Sequence, residues 1–374
     1  MIRRTITERI KSKLNRGKAI IIVGPRQVGK TTLIRELIKD EDFLFFDGDD
    51  PSTRTLLDTP NTKQIKSLLK QKKVLFIDEA QRINNIGLTV KIIIDQIKDV
   101  QVWVSGSSSF YIFDEFNESL TGRKWEYQLY PISWEEFENH EGYLSAERQL
   151  EDRLVYGMYP EVINHPGEEA EILKELTSSY LYKDILAYGG IKKPEVLDKL
   201  VKALALQVGS EVNYNELSQI VGIDRNTVEK YITILEKGYV IFKLSSYSRN
   251  VRIEIKKGKK IYFYDNGIRN AIIGNMNKMA LRTDVGALWE NFLVAERLKQ
   301  IEYKKSFANS YFWRTTQQQE IDYIEEKNQK LYAYEFKWNP NKKAKISKTF
   351  VNNYDTDTLV INRENFRDFV ILEN

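Results

Sequence analysis

The sequence has no cysteine and only two histidines, His140 and His165, in 374 residues. Without cysteine there is no disulfide framework and no thiolate metal site, and the cytoplasm is the expected compartment. Two histidines leave little for zinc. Any catalytic metal is expected to be a hard cation held by oxygens, such as Mg²⁺. No apolar run approaches the roughly 18 residues a membrane helix needs. The basic start, Met1-Ile2-Arg3-Arg4-Thr5, leads into no apolar stretch, so no secretory signal is expected. Internal repeats and low-complexity tracts are also missing.

A large charge imbalance is absent too. Lys and Arg number 57 against 53 Asp and Glu, a net charge of +4. That alone does not imply nucleic acid. The distribution is more informative. Arg249, Arg252, Lys256, Lys257, Lys259 and Lys260 lie close together with only Glu254 opposing, and Lys342, Lys343, Lys345 and Lys348 form a second cluster. Such runs are most often solvated faces.

What is present has the pattern of an α/β protein. Ile2, Ile6, Ile10 and Leu14, four apart, predict an amphipathic helix. Ala19 to Val23 is a continuous apolar, β-branched run, as a buried parallel strand requires. A glycine-rich turn follows, then a helix from Thr31 to Lys39. Further strands are expected at Phe43–Phe46, Val74–Ile77 and Val102–Val104, with helices between them, which argues for a parallel sheet. Helical segments dominate from Trp134 to Leu206, and strand-like segments return at Val240–Leu244 and Lys260–Tyr264. The chain is too long for one ordinary core. Boundaries near 135, 205 and 280 divide it into a core at 1–135, a helical lid at 136–205, a helix-turn-helix region at 206–280 and a last α/β segment at 281–374.

The strongest motif is Gly24-Pro25-Arg26-Gln27-Val28-Gly29-Lys30-Thr31, followed by Thr32, between the first strand and its helix. Glycines let backbone N–H groups curl around phosphates, and the helix N-terminus adds partial positive charge. Lys30 is expected to reach the β- and γ-phosphates of ATP, and the Thr31 hydroxyl to ligate Mg²⁺. Val74-Leu75-Phe76-Ile77 carries Asp78 and Glu79 at its end, where parallel sheets bind ligands. Asp78 suits the Mg²⁺ shell, and Glu79 suits the general base for water. Ser107, in Ser105-Gly106-Ser107-Ser108-Ser109, is the candidate for sensing the γ-phosphate. A hydroxyl-rich loop satisfying its own backbone is the plainer alternative. Arg123 is a candidate for stabilising transition-state charge, from within the chain or from a neighbouring subunit, with a plain surface arginine as the alternative, and Arg26 is a weaker candidate.

These stretches, with Phe76-Ile77-Asp78-Glu79-Ala80-Gln81-Arg82 and Leu120-Thr121-Gly122-Arg123, resemble the prokaryotic AAA-type ATPases that carry a C-terminal domain of unknown function. The resemblance continues through Gly157-Met158-Tyr159-Pro160-Glu161-Val162, Tyr182-Lys183-Asp184-Ile185 and Gly286-Ala287-Leu288-Trp289-Glu290-Asn291. It implies a P-loop ATPase core with a catalytic glutamate, a winged helix, and a restriction-endonuclease-like C-terminal α/β domain. It implies no settled cellular role. The lid lacks a clear second sensor arginine of the kind oligomeric AAA+ motors often have, and the oligomeric state is open.

Two further segments bear on partners. Asn213 and Asp224 are placed to cap helices on either side of Gly222. The second helix would bury Val228, Ile232 and Leu235 and turn Arg225, Asn226, Lys230 and Thr233 outward, the layout of a DNA recognition helix, although Glu229 sits among them. The Arg249–Lys260 stretch would be the wing, facing phosphates. Winged helices in ATPases also serve as protein-contact lids, so a protein partner is the competing reading. In the last segment, Asp322 and the Glu335-x-Lys337 pair lie on two strand-like runs, with Glu290 on the preceding helix. That set matches metal-dependent nucleases, in which carboxylates hold Mg²⁺ and the lysine steadies water or phosphate. The plain alternative is a retained fold used for docking, its acids in salt bridges. The overall expectation is an Mg²⁺-dependent ATPase coupled to a DNA- or partner-binding module. An ATP-licensed nuclease and a non-enzymatic signalling or toxin-neutralising adaptor are the alternatives.

Overall fold

The computed structural model describes residues 1–59, 61–107, 119–178, 185, 191, 193–248, 258–315, 317–344 and 346–372. The chain falls into two compact units, one of Met1–Pro131 with Lys237–Tyr239, the other of Ile132–Glu236 with Val240–Asn374.

The first unit is built on a parallel sheet of β1 (Ala19–Val23), β2 (Phe43–Asp47), β3 (Val74–Asp78), β4 (Gln101–Gly106) and β5 (Lys124–Gln128), in the order β2-β3-β4-β1-β5. Strands β1, β3 and β4 are buried along their whole length, which is why they read as unbroken apolar runs. In register, Ile20 lies beside Trp103 and Phe76 beside Trp103 from the other side. The carboxyl ends of β3, β4 and β1 therefore stand next to one another along a single edge.

The second unit begins with short helices, including Trp134–Glu141, opened by a capping box between Ser133 and Glu136. The Gly157-Met158 step has a packing cause. Buried Asp265 accepts the Met158 N–H at 2.7 Å, and a Cβ on Gly157 would fall 2.1 Å from that carboxylate. Helices Tyr214–Val221 and Arg225–Lys237 follow, the first capped by Asn213 and ended by left-handed Gly222. Asp224 accepts from the Thr227 N–H at 3.0 Å and so caps the second.

A seven-stranded sheet organises this unit. It consists of β6 (Glu211–Val212), β7 (Ile241–Ser246), β8 (Lys259–Phe263), β9 (Asn309–Arg314), β10 (Glu320–Lys327), β11 (Lys330–Phe336) and β12 (Thr356–Ile361), in the order β12-β11-β10-β9-β7-β8-β6. Ser245 pairs with Tyr311 and Ser246 with Phe312, so strands from before and after residue 280 belong to one sheet. The β10–β11 hairpin turns at Asn328 and Gln329, both at positive φ (52° and 63°), between paired Lys327 and Lys330. The long helix Val285–Lys304 is docked on β8 by Asn291, whose amide accepts the Phe263 N–H at 2.7 Å and donates to the Phe263 carbonyl at 3.1 Å. No helix among the described residues is long and apolar enough to cross a membrane.

Candidate nucleotide site and acid pocket

The loop after β1 is shaped by backbone conformation. Gln27 (φ 58°) and Gly29 (φ 92°) are left-handed, and Gly29 opens the helix Lys30–Leu37. Gly24 admits no side chain, because a Cβ there would lie 2.0 Å from the Leu129 carbonyl. Lys30 is buried, and its Nζ donates to the carbonyls of Gly24 (3.0 Å) and Pro25 (2.6 Å). Buried Arg4 braces the same loop, donating to the carbonyls of Val28 (2.8 Å) and Tyr130 (2.6 Å). Arg26 is half-buried in the loop, and Thr32 is exposed in the first helical turn.

Thr31 Oγ1, in the first turn of the helix Lys30–Leu37, donates to Asp78 Oδ2 at the end of β3 at 2.8 Å. Ser105 Oγ donates to the other oxygen of Asp78, a contact that sequence reasoning missed. A hydroxyl and a carboxylate side by side are the hard donors Mg²⁺ takes when it is shared with phosphates. Glu79 follows in a left-handed conformation (φ 47°, ψ 40°), rare and costly for a residue with a side chain. Its peptide is clamped from outside. Gly48 N–H donates to the Asp78 carbonyl at 2.9 Å, and a Cβ on Gly48 would meet the Glu79 carbonyl at 2.3 Å.

Gln81 is the second residue missed. It is 4% exposed. Its Nε2 donates to Glu79 Oε2 and, at 2.8 Å, to Ser107 Oγ, and its Oε1 accepts the Ser107 N–H at 3.2 Å. Ser107 Oγ lies 3.3 Å from Glu79 Oε2. The structure thus brings Lys30, Thr31, Asp78, Glu79 and Ser107 to the carboxyl edge of the sheet and adds Gln81 as a bridge.

Arg123 is not brought there. Its carbonyl accepts the Ala19 N–H at 2.9 Å, at the amino end of β1, while the loop begins beyond Val23 at the other end. A strand of this length spans about 13 Å. Arg123 Nε donates to Asp95 at 2.8 Å, and a role within its own chain's site is corrected on that ground. Ser108 and Ser109 lie outside the described residues, as do Tyr182-Lys183-Asp184, the Arg249–Lys257 part of the basic stretch, and Lys345.

The second unit gathers the other candidates. Continuing the β10–β11 register by one step sets Asp322 opposite Glu335, and a register shift against β9 falls between Ile321 and Ile324. Asp322 Oδ2 accepts the Phe336 N–H at 2.8 Å. Lys337 Nζ reaches Glu335 Oε2 (3.3 Å), the Phe336 carbonyl (3.0 Å) and Asp322 Oδ2 (3.8 Å). Glu290 is engaged elsewhere. Its Oε1 accepts from Lys260 Nζ (3.0 Å) and Tyr262 OH (2.6 Å). Lys260 also pairs with Glu320 Oε1 at 2.5 Å. It is 1% exposed, so its expected place in a solvent-facing wing is corrected.

Burial, with Asp322 beside it, pushes Glu335 up to about 7 against the pull of Lys337. Burial likewise raises Glu290 to about 6, although Lys260 and Tyr262 draw it down. Burial alone would lower Lys260, but Glu290, Glu320 and Asp322 outweigh it and hold the ammonium charged. Among the described residues no group of three or more His, Asp or Glu side chains is arranged to hold a metal ion. Beside this pocket is an open cleft of about 860 Å³, lined by Arg225, Lys259 and Arg314 with Glu211, Glu229 and the Asn213 cap.

Comparison with known proteins divides the chain into three matched segments. Residues 16–138 match the AAA domain, residues 147–279 a domain of unknown function (DUF8612), and residues 285–371 another (DUF4143). The chain is 26% identical over 340 residues to uncharacterized protein Rv2008c of Mycobacterium tuberculosis, covering 90% of this chain and 74% of the relative. It is 24% identical over 377 residues to an uncharacterized protein of Haemophilus influenzae, covering 94% and 88%. Among solved structures it is similar to the Walker-type ATPase PABY2304 of Pyrococcus abyssi, with a TM-score of 0.50 and 14% identity over 73% of this chain and 96% of that one. The chain therefore carries an AAA-type, P-loop-ATPase-like domain and a distinct C-terminal α/β region, and the likeness supports ATP binding and hydrolysis in general terms.

Proposed function

We propose that the chain is an Mg²⁺-dependent ATPase whose nucleotide state governs a DNA-docking module. The observation that carries the hydrolytic reading is the Glu79–Gln81–Ser107 constellation on the sheet edge that also bears Lys30. A carboxylate held in that way at the end of β3 is suited to taking a proton from water. In this reading Lys30 and the helix N-terminus hold the phosphates. Thr31 and Asp78 would hold Mg²⁺, which when bound neutralises phosphate charge. Glu79 takes the proton of the attacking water, and Ser107 orients that water or reads the γ-phosphate.

The docking reading rests on the second unit. The capped helix Arg225–Lys237 exposes Arg225, Asn226 and Lys230 after a left-handed glycine turn, in the manner of a winged-helix recognition helix. Arg225, Lys259 and Arg314 line the adjoining cleft, where backbone phosphates would be held in a salt-dependent way. A protein partner is the alternative occupant. An ATP-licensed nuclease would use Asp322, Glu335 and Lys337, but Lys260 already pairs with Glu290 and Glu320 in the same pocket, which favours docking over cutting.

Glu79→Gln should abolish turnover and keep ATP binding, and undiminished hydrolysis would sink the assignment. ATPase rate measured with and without DNA tests the coupling. A DNA stimulation that weakens with salt is expected. A rate indifferent to DNA, with no DNA binding, would transfer the module to a protein partner.

A further inference from the structure

Each carboxylate of the acid pocket is already held by a donor of the chain. Glu290 Oε1 accepts from both Lys260 and Tyr262. Glu320 is engaged by Lys260 on one oxygen and lies 3.6 Å from Arg314 on the other. Asp322 Oδ2 takes a backbone N–H, and Glu335 Oε2 takes Lys337. Lys260 is the unusual member. Its ammonium is 1% exposed, sits between two carboxylates, and lies 5.4 Å from the centre of the Phe312 ring. The strand and the helix above it are fixed to each other by Asn291, so this ammonium is not a surface group that can swing into water.

A divalent ion would have to enter among these groups. Mg²⁺ demands oxygens at about 2.0–2.1 Å in near-octahedral array. One oxygen each of Glu290, Glu320 and Glu335 faces an ammonium group and one of Asp322 faces a backbone N–H, so an entering cation would have to displace these donors and meet the fixed charge of Lys260. The residues that a metal-dependent nuclease would use therefore do not fit a metal in this chain.

We propose that Lys260 is the resident cation of this pocket. It neutralises Glu290 and Glu320 in place of a divalent ion, and the pocket does not carry out metal-dependent cleavage. The inference is independent of the nucleotide site.

The test is Mn²⁺ binding to the full chain without nucleotide, counted from the electron paramagnetic resonance signal of the free ion. The wild type and the Asp322→Asn/Glu335→Gln variant should bind equal numbers of ions, since any ion at Thr31 and Asp78 is common to both. One ion fewer in the variant would overturn the proposal. Lys260→Met should bind one Mn²⁺ more than the wild type and lose it again when Asp322→Asn is added. A folded Lys260→Met that gains none would also overturn it. If that variant does not fold, the first comparison decides alone. Cleavage of single- or double-stranded DNA in Mn²⁺ that disappears with Asp322→Asn would refute the docking reading directly.

Discussion

Replacing Gln81 by leucine removes a bridge while keeping the volume of the side chain nearly constant. Three hydrogen bonds go: to the Glu79 carboxylate, to the Ser107 hydroxyl at 2.8 Å, and from the Ser107 N–H at 3.2 Å. The bond to a carboxylate is worth about 1.5–3 kcal/mol, and a buried N–H left without a partner costs about 1–3 kcal/mol. Part of this is recovered, because Ser107 Oγ is 3.3 Å from Glu79 Oε2 and can donate to it more closely. A net loss of roughly 2–4 kcal/mol of stability follows, enough to lower the melting temperature yet leave the domain folded. The effect on turnover has a different origin. Glu79 sits on a left-handed backbone, and Gln81 limits the swing of its carboxylate. A displacement of about 1 Å in a catalytic group costs on the order of 100-fold in rate. Gln81→Leu should therefore lower kcat about 10- to 100-fold and leave the ATP dissociation constant within about threefold, since Lys30 and the loop that hold the phosphates keep their contacts. Phosphate release under saturating ATP gives kcat, and a fluorescent ATP analogue gives affinity. An unchanged kcat in the folded variant would refute the positioning role. A raised kcat would show that Gln81 restrains the glutamate instead of aiming it.

Gly48→Ala should act on the same carboxylate from behind, because its Cβ would meet the Glu79 carbonyl at 2.3 Å; a loss of about 1–3 kcal/mol and a fall in kcat are expected, read by thermal melting and phosphate release. Glu335 gives a pH signature. Its folded pKa is raised from 4.5 to about 7, so the folded state keeps a proton that the unfolded chain releases, and this contribution to stability is lost as pH rises between those values. Glu335→Gln should thus raise the melting temperature relative to wild type at pH 8 and not at pH 4.5, and a difference independent of pH would contradict the burial argument. Arg123→Ala removes an exposed pair with Asp95, so the melting temperature should barely move, and kcat at low protein concentration should not change. A fall in kcat that grows with protein concentration would instead assign Arg123 to the site of a neighbouring copy.

The parts of the site that could be read in the sequence are those encoded by neighbours along the chain. A glycine loop between an apolar run and a helix, and two acids at the end of another apolar run, state their geometry locally. Gln81 did not, although it stands two residues beyond Glu79, because its other partner, Ser107, is 26 residues away and arrives only through the β3–β4 pairing. For Arg123 the converse holds, since its local sequence does not say that it stands at the amino end of β1, away from the loop. Lys260 is the sharper case. Counted with Arg249 to Lys259 it belongs to a basic run, and a run is judged by its sum. On β8, alternation divides that sum: Lys259 faces the cleft, while Lys260 and Tyr262 face the helix bearing Glu290. The alternation was visible beforehand, in a lysine set two residues from a tyrosine within an apolar stretch. What it could not supply was the acid thirty residues further on that makes burial of the charge tolerable. A buried charge is intelligible only with its partner, and in a sheet whose strands meet out of sequence order that partner is known only once the topology is.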